Sequence, residues 1–479
     1  MQQNCKEGYR TESDLLGARE VPESALYGVQ TLRGLENFEI SKFHLYDYPL
    51  FIKGLAITKI AAIRANHQLG LVTDEQARVV EEAAVEVAAG KHNDQFPIDM
   101  IQGGAGTTTN MNINEVLANR ALEIMGHKRG EYQYCSPNDV VNHAQSTNDA
   151  YPTAIHIGMY YTHLKFVEHY KVLIEAFRRK AKEFENIIKI GRTQLEDAVP
   201  MTLGQTFNGF ASILTDEIKH LDEAAEDFLT VNMGATAIGT GLTAEPGYAE
   251  KVVKELGNLT GWDVKLSKDL IGATSDTSCL VGYASALKRV AVKLNKICND
   301  LRLLASGPRC GLGEFNLPAM QPGSSIMPGK INPVIPEVMN QICYKVIGNE
   351  LCVTMAGEAA QMELNAMEPV MAQCDFESVD IMINGFATLR TRCIEGITPN
   401  VEHCRKQVHN SISVVTALNP VIGYKNSTKI AKEALETGRS VYDLVLEHGI
   451  LTKDDLDTIL APENMLHPVK LDIKPLRTL

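Results

Sequence analysis

The chain has 479 residues, 44% of them hydrophobic and 22% charged, and a formal net charge of −13 from 59 acidic and 46 basic residues. That length exceeds one ordinary core and predicts two or three domains of globular composition. The acidic balance, with no compensating Lys/Arg run, excludes a nucleic-acid or anionic-membrane partner and leaves a small anionic substrate to be held by local groups.

No stretch approaches the length of uninterrupted apolar sequence that a membrane span needs. The opening MQQNCKEGYRTESD lacks the apolar core of a signal peptide. Together these read as a cytoplasmic protein. The ten cysteines, Cys5, Cys135, Cys279, Cys298, Cys310, Cys343, Cys352, Cys374, Cys393 and Cys404, include no CxxC pair. No metal site or disulfide framework is expected from them, and they read as reduced thiols, mostly in the core.

In chain order, residues 1–50 hold turn residues too closely spaced for long helices and read as an irregular lead-in. From Phe51, FIKGLAITKIAAIRANHQLG reads as a helix ended by Gly70. TDEQARVVEEAAVEVAAG reads as a second, capped by Thr73, with acids in its first turn and a stop at Gly90. In IQGGAGTTTNMNINEVLANRALEIMG the glycines 103, 104 and 106 precede a helix, which invites a phosphate-loop reading. The absence of GK[ST] and of a preceding β-run excludes it. What remains is a run of hydroxyls and an amide, Thr107, Thr108, Thr109 and Asn110, that would serve equally as a cap.

HAQSTNDAYPT places Ser146, Thr147, Asn148 and Asp149 before a long amphipathic helix reaching towards Lys189. GRTQLEDAVPMTLGQTF puts Thr193, Gln194 and Asp197 in a loop closed by Pro200, before another helix. Each cluster alone is a cap or a turn. Three sets of uncharged donors, each at the mouth of a long helix, are more economically one shared pocket.

From Thr274 to Gly307, Leu280, Leu287, Leu294 and Leu301 recur at seven, as do Ala284, Ala291, Cys298 and Ala305, and Tyr283, Val290, Ile297 and Leu304. Three apolar columns predict burial on a wide face within a helix bundle, and this much apolar face suggests burial between subunits as well. The stretch GSSIMPGKINP, Gly323 to Pro333, must be a loop, because Pro322, Pro328 and Pro333 forbid a helix interior while Gly323 and Gly329 permit a hinge. Ser324 in it can act as nucleophile or base, Lys330 can hold a carboxylate, and Asn332 can donate and accept. Two more long helices follow, Pro336 to about Leu364 and about Pro369 to Ile397. Shorter helical pieces then run to the end. The expected domains are 1–145, mixed and helical; 146–397, the central bundle with the loop; and 398–479, small and helical.

GGAGTTTNMN, QSTNDAYPT, GRTQLEDAVPMTLGQ and GSSIMPGKINP, followed by Glu337, resemble in order and spacing the signature segments of the fumarase/aspartase superfamily, across nearly the whole chain. The resemblance implies an all-α, three-domain fold with a central long-helix bundle and a homotetramer whose sites are each shared among three subunits. It implies a small dicarboxylate substrate, and the sequence carries no cofactor motif, so none is expected. By position, Ser324 matches the base that removes a proton from C3. Thr107, Ser146, Thr147, Thr193 and Ser325 match groups that contact substrate and meet the aci-carboxylate charge. Lys330 and Asn332 match those on the other carboxylate, and Asn148 lies near the amino group. The hydratase branch carries His where Gln194 stands, paired with the residue matching Glu337. An amide cannot titrate, so the expectation is reversible deamination of L-aspartate to fumarate. A fumarate hydratase and a non-catalytic helical scaffold of the same fold are the alternatives.

Overall fold

The computed structural model describes residues 8–477; Cys5, read above as a reduced thiol, lies outside them. In order come strands β1 (Tyr9–Asp14) and β2 (Gly17–Pro22), then helices α1 (Val29–Asn37), α2 (Pro49–Gln68), α3 (Asp74–Ala88), α4 (Thr107–Ile124) and α5 (Thr147–Glu183). The hairpin β3 (Ile188–Thr193) and β4 (Glu196–Thr202) follows. After it run α6 (Leu203–Glu226), β5 (Thr230–Val231), α7 (Tyr248–Thr260), β6 (Lys265–Leu266), α8 (Leu270–Ser275), α9 (Ser278–Leu304) and β7 (Phe315–Asn316). Then come α10 (Val334–Glu358), α11 (Glu368–Arg392), β8 (Thr398–Pro399), α12 (Val401–Asn410), α13 (Val415–Ile422), α14 (Tyr424–Thr437), α15 (Val441–Glu447), α16 (Lys453–Ile459) and α17 (Pro462–Met465). The strands form only two-stranded ribbons among the described residues, so the fold is all-α in class.

Two expectations need correction. Residues 8–50 are not irregular: β1 and β2 pair from Tyr9↔Pro22 to Asp14↔Gly17. The close turn residues make that hairpin, because Asp14 Oδ1 accepts from Leu16 N at 2.9 Å while Arg33 grips the same carboxylate. GRTQLEDAVP is likewise a hairpin and not a loop, and it ends the long helix at Glu183. The Thr73 cap is as expected: its hydroxyl accepts from Gln76 N and the Gln76 side chain accepts from Thr73 N, closing a reciprocal box.

Contacts within the chain separate two units. One gathers the chain up to Glu168 with Glu217–Ala291 and Cys343–Ile383; the other gathers His169–Asp216, Val292–Ile342 and everything from Asn384. In the first, α2 packs on α3 and α7 and is buried almost throughout, Lys59 included. In the second, Phe177, Phe184, Phe207, Phe210 and Phe315 stack edge to face, and a separate cluster of Val408, Leu418, Ile430, Leu444 and Leu456 holds the C-terminal helices together.

The three columns on α9 are buried as their spacing requires; only Ala305, beyond the end of the helix, is partly open. On α10, by contrast, Tyr344, Leu351 and Met355 are 56%, 59% and 63% exposed, at helical spacing along one side. Among the described residues no helix is long and apolar enough to cross a membrane.

Candidate active site

In the first unit, the start of α4 and the start of α5 meet. Gly106 has φ of 88°, and a Cβ there would fall 2.4 Å from the Tyr151 ring, so only glycine lets the chain enter α4 against α5. Asn110 Nδ2 donates to Thr147 Oγ1 at 3.2 Å, which leaves the Thr147 proton free to donate outward. Asn148 N donates to Ser146 Oγ at 3.2 Å with the same effect on Ser146. Thr107 differs: its hydroxyl donates to Gly104 O at 2.8 Å.

Beneath this surface lies a group the sequence did not reveal. Lys59 Nζ donates to Asn110 Oδ1, Asn142 Oδ1 and Gln145 Oε1 at 2.8, 3.1 and 2.8 Å. Burial pulls its ammonium down to about 7, against an opposing pull from Asp149. Three carbonyl acceptors replace its water shell and place a positive charge under the Thr147 loop. The only sequence signal was a lysine inside the apolar run of α2.

Asp149 accepts from Ser146 N at 3.0 Å and, on its other oxygen, from Gly234 N and Thr236 N at 3.0 and 2.9 Å. Burial still raises its carboxyl to about 6. Pro152 lacks the N–H that would bond Asn148 O in a regular helix. Asn232 Nδ2 takes that place, donating to Asn148 O at 3.0 Å, while Asn148 Nδ2 donates to Ala237 O at 2.7 Å. Asn148 is therefore fixed from both its backbone and its side chain.

In the second unit, Thr193 and Gln194 stand at the tip of the β3–β4 hairpin. Thr193 pairs with Glu196, and the two residues between them, Gln194 and Leu195, have φ of 55° and 68°. That is a two-residue turn of the primed kind, built without the usual Asn or Gly and so carrying strain. It pushes Thr193 and Gln194 to the end of a rigid ribbon.

The loop from Gly323 to Pro333 is closed on itself: Pro322 bridges Ile331, Gly323 N donates to Lys330 O at 2.6 Å, and Asn332 Nδ2 donates to Gly323 O at 2.7 Å. A Cβ on Gly323 would sit 2.7 Å from Asn332 N. Ser324 Oγ accepts two backbone N–H bonds, from Ile326 at 3.1 Å and Met327 at 3.0 Å. Two fixed donors on one hydroxyl oxygen favour its deprotonated form. Ser325 and Lys330 are exposed, and Lys330 has no ion-pair partner among the described residues. Glu337 lies in the first turn of α10. No hydrogen bond joins the hairpin tip to this loop among the described residues.

The first unit thus presents hydroxyls with protons to donate; the second presents a lysine without an ion-pair partner among the described residues and a serine oxygen held by two backbone amides. Residues 17–348 match the family described as Lyase, and residues 414–467 match the Fumarase C C-terminus. The chain belongs to the fumarase/aspartase superfamily of lyases.

Within it, curated proteins named aspartate ammonia-lyase run alongside nearly the whole sequence. That of Escherichia coli (strain K12) is 54% identical, covering 96% of both chains. That of Helicobacter pylori (strain ATCC 700392 / 26695) is 53% identical, covering 96% of this chain and 98% of its own. Among solved structures, a fumarate lyase:delta crystallin from Brucella melitensis bound to cobalt superposes with a TM-score of 0.93 at 47% identity, over 96% of this chain and 100% of its own. A class II fumarase from Schistosoma mansoni gives 0.89 at 32% identity, over 96% and 100%.

Proposed function

We propose that this chain catalyses the reversible deamination of L-aspartate to fumarate and ammonia. The observation that carries the reading is identity above one half to curated aspartate ammonia-lyases along nearly the full length. Gln194 supports it against the hydratase alternative, because an amide offers no titrating group to activate water.

In the proposed mechanism Ser324, as an alkoxide held by the amides of Ile326 and Met327, removes the C3 proton. A proton beside a carboxylate is a very weak acid, so the aci-carboxylate that forms must meet donors already in place. Thr147 and Ser146 have hydroxyl protons to give. Thr107 must first release Gly104 O. Thr193 and Ser325 complete the set, Lys330 and Asn332 take the second carboxylate, and Asn148 faces the amino group. Gln194 and Glu337 support the pocket.

We further infer a homotetramer in which each site draws loops from different subunits. The uncovered apolar side of α10 supports it, since a row of Tyr, Leu and Met of this kind is ordinarily covered. The test of the function is direct: absorbance of fumarate appearing from L-aspartate, with the reverse reaction requiring ammonium. Consumption of fumarate with water alone would assign the hydratase instead.

A further inference from the structure

Behind Asn148, within the first unit, a cavity of about 270 Å³ is lined by the early turns of α5, the starts of α9 and α11, and the segments around β5 and β6. Cys279, the second residue of α9, places Sγ 3.0 Å from His156 Nε2. His156 Nδ1 lies 3.0 Å from Thr230 O, a pure acceptor, so Nδ1 carries the ring proton and Nε2 accepts from the thiol. Thiol and imidazole thus stand as a nucleophile with its base already oriented.

Glu368 opens into the same space. Its residue is only 4% exposed, yet its carboxyl has no hydrogen-bond or ion-pair partner among the described residues. A buried carboxyl without a partner is costly and points to a missing one. Asp227 and Asp276 also line the cavity, whereas no lysine or arginine does. The walls therefore select against anions and suit a small molecule carrying an ammonium group.

We propose that this cavity is a modification site for small amine-bearing disulfides, with Cys279 as the acceptor thiol, His156 as the base and Glu368 as the partner of the ammonium. Sγ attacks one sulfur of the disulfide while its proton passes to His156 Nε2. The Sγ–S bond forms as the S–S bond breaks, and the departing thiolate recovers the proton from the imidazole. The disulfide is reduced to one free thiol and Cys279 is oxidised to the mixed disulfide, so the exchange balances without a further oxidant. Burial pushes the thiol up and holds His156 down at about 4, which keeps the resting pair neutral and the thiol protected until a disulfide enters.

The cavity also has a route to the active site. Asn232 lines it and holds Asn148 O. An adduct on Cys279 that shifts Asn232 then loosens Asn148; this consequence rests on Asn148 contacting substrate, as proposed above.

The test exposes the full protein, at about pH 8.5, above the raised value of the Glu368 carboxyl, and at low salt, to cystamine, to neutral bis(2-hydroxyethyl) disulfide and to anionic dithiodiglycolate, and follows each cysteine by peptide mass spectrometry. The exposed Cys310 is the internal reference. Cys279 should take the cystamine adduct about tenfold faster than the anionic one, relative to Cys310 in the same samples. Glu368→Gln or Asp276→Asn should shrink that preference, and His156→Gln should slow Cys279 with all three reagents. Cys279 left unmodified while Cys310 reacts, or a charge preference no larger than that of Cys310, overturns the site from the unaltered protein alone. A preference untouched by both acid substitutions removes the ammonium role. KM for L-aspartate should rise in the adduct, return on reduction and stay constant in Cys279→Ser; a KM unmoved by a stoichiometric adduct overturns the coupling while leaving the site.

Discussion

Among the described residues no basic side chain bonds Ser324; its oxygen is held by two backbone amides of its own loop. Those two backbone donors were invisible in the sequence, which showed only a serine between flexible residues. Lys330 was legible, because an exposed cation in a Gly/Pro loop has few other uses. A point charge on a carboxylate that does not react binds ground and transition states alike. Lys330→Ala is therefore expected to raise KM about ten- to a hundredfold, the effect of losing ~1.5–3 kcal/mol of charge-assisted contact, with a smaller change in kcat. A collapsed kcat at unchanged KM would place Lys330 in the activation of Ser324 instead. Lys59 escaped the sequence reading for the opposite reason. A lysine in an apolar helix ordinarily bends its ammonium to water, and only the fold brings three amide carbonyls to it. Glu368 gives a pH prediction. Burial raises its carboxyl from 4.5 to about 8. The native state then binds the proton that the unfolded state releases, so stability is lost as pH rises through that window. Glu368→Gln should leave Tm near that of the parent at pH 4.5 and exceed it increasingly towards pH 8; a constant difference across the range contradicts the raised value.

Among the elements, the long helices were readable as helices, with ends misplaced by up to about six residues, as at Glu183, Glu358 and Arg392, since heptad columns of Leu, Ala and Cys on α9 admit no strand. The hairpin was not. Gln194-Leu195 lacks the Asn-Gly signature of a two-residue turn, and Pro200 within β4 argues against a strand interior; the chain accommodates it on a ribbon of only two strands, opposite Ile190. Its tip holds two non-glycine residues in the left-handed region, at about 1–2 kcal/mol each. Leu195 is 71% exposed, so little burial is lost by trimming it. Leu195→Gly should raise stability by about 0.5–1 kcal/mol, the relief of strain outweighing the greater freedom of glycine when unfolded. A lower Tm would mean that the turn is held by contacts of the leucine. The same ribbon fixes the fate of Gln194→His. Among the described residues no hydrogen bond ties the tip to Glu337, the residue matching the histidine's partner in the hydratase branch, so malate formation from fumarate should remain far below the rate of deamination. Comparable rates would defeat that expectation.

For the whole molecule, the class of reaction came from the resemblance of the signature segments, while the acidic charge argued only against nucleic-acid and anionic-membrane partners. The uncovered side of α10 needed the structure, because a helix pattern does not say which apolar face its own chain covers. If sites are shared, subunits carrying Ser324→Ala and subunits carrying Thr193→Ala each form dead oligomers. Mixing them after mild dissociation should nevertheless restore some activity, as certain pockets collect two intact loops. Mixed oligomers verified by mass that stay as inactive as the parents would show that both residues come from one subunit.

The interleaving of the two units sets a timetable for synthesis. The first lacks its last portion until Ile383 has been made, and the second needs residues from Asn384 onward. At ~5–20 residues per second, roughly 20 to 80 seconds pass on the ribosome before even the first unit can close. For the last part of that interval, from the completion of α9 at Leu304 to Ile383, roughly 4 to 16 seconds at the same rate, the apolar columns of α9 wait without their last partners. Neither half can be expressed alone by cutting the chain at one point, and the nascent protein depends for that long on whatever shields greasy helices in the cell.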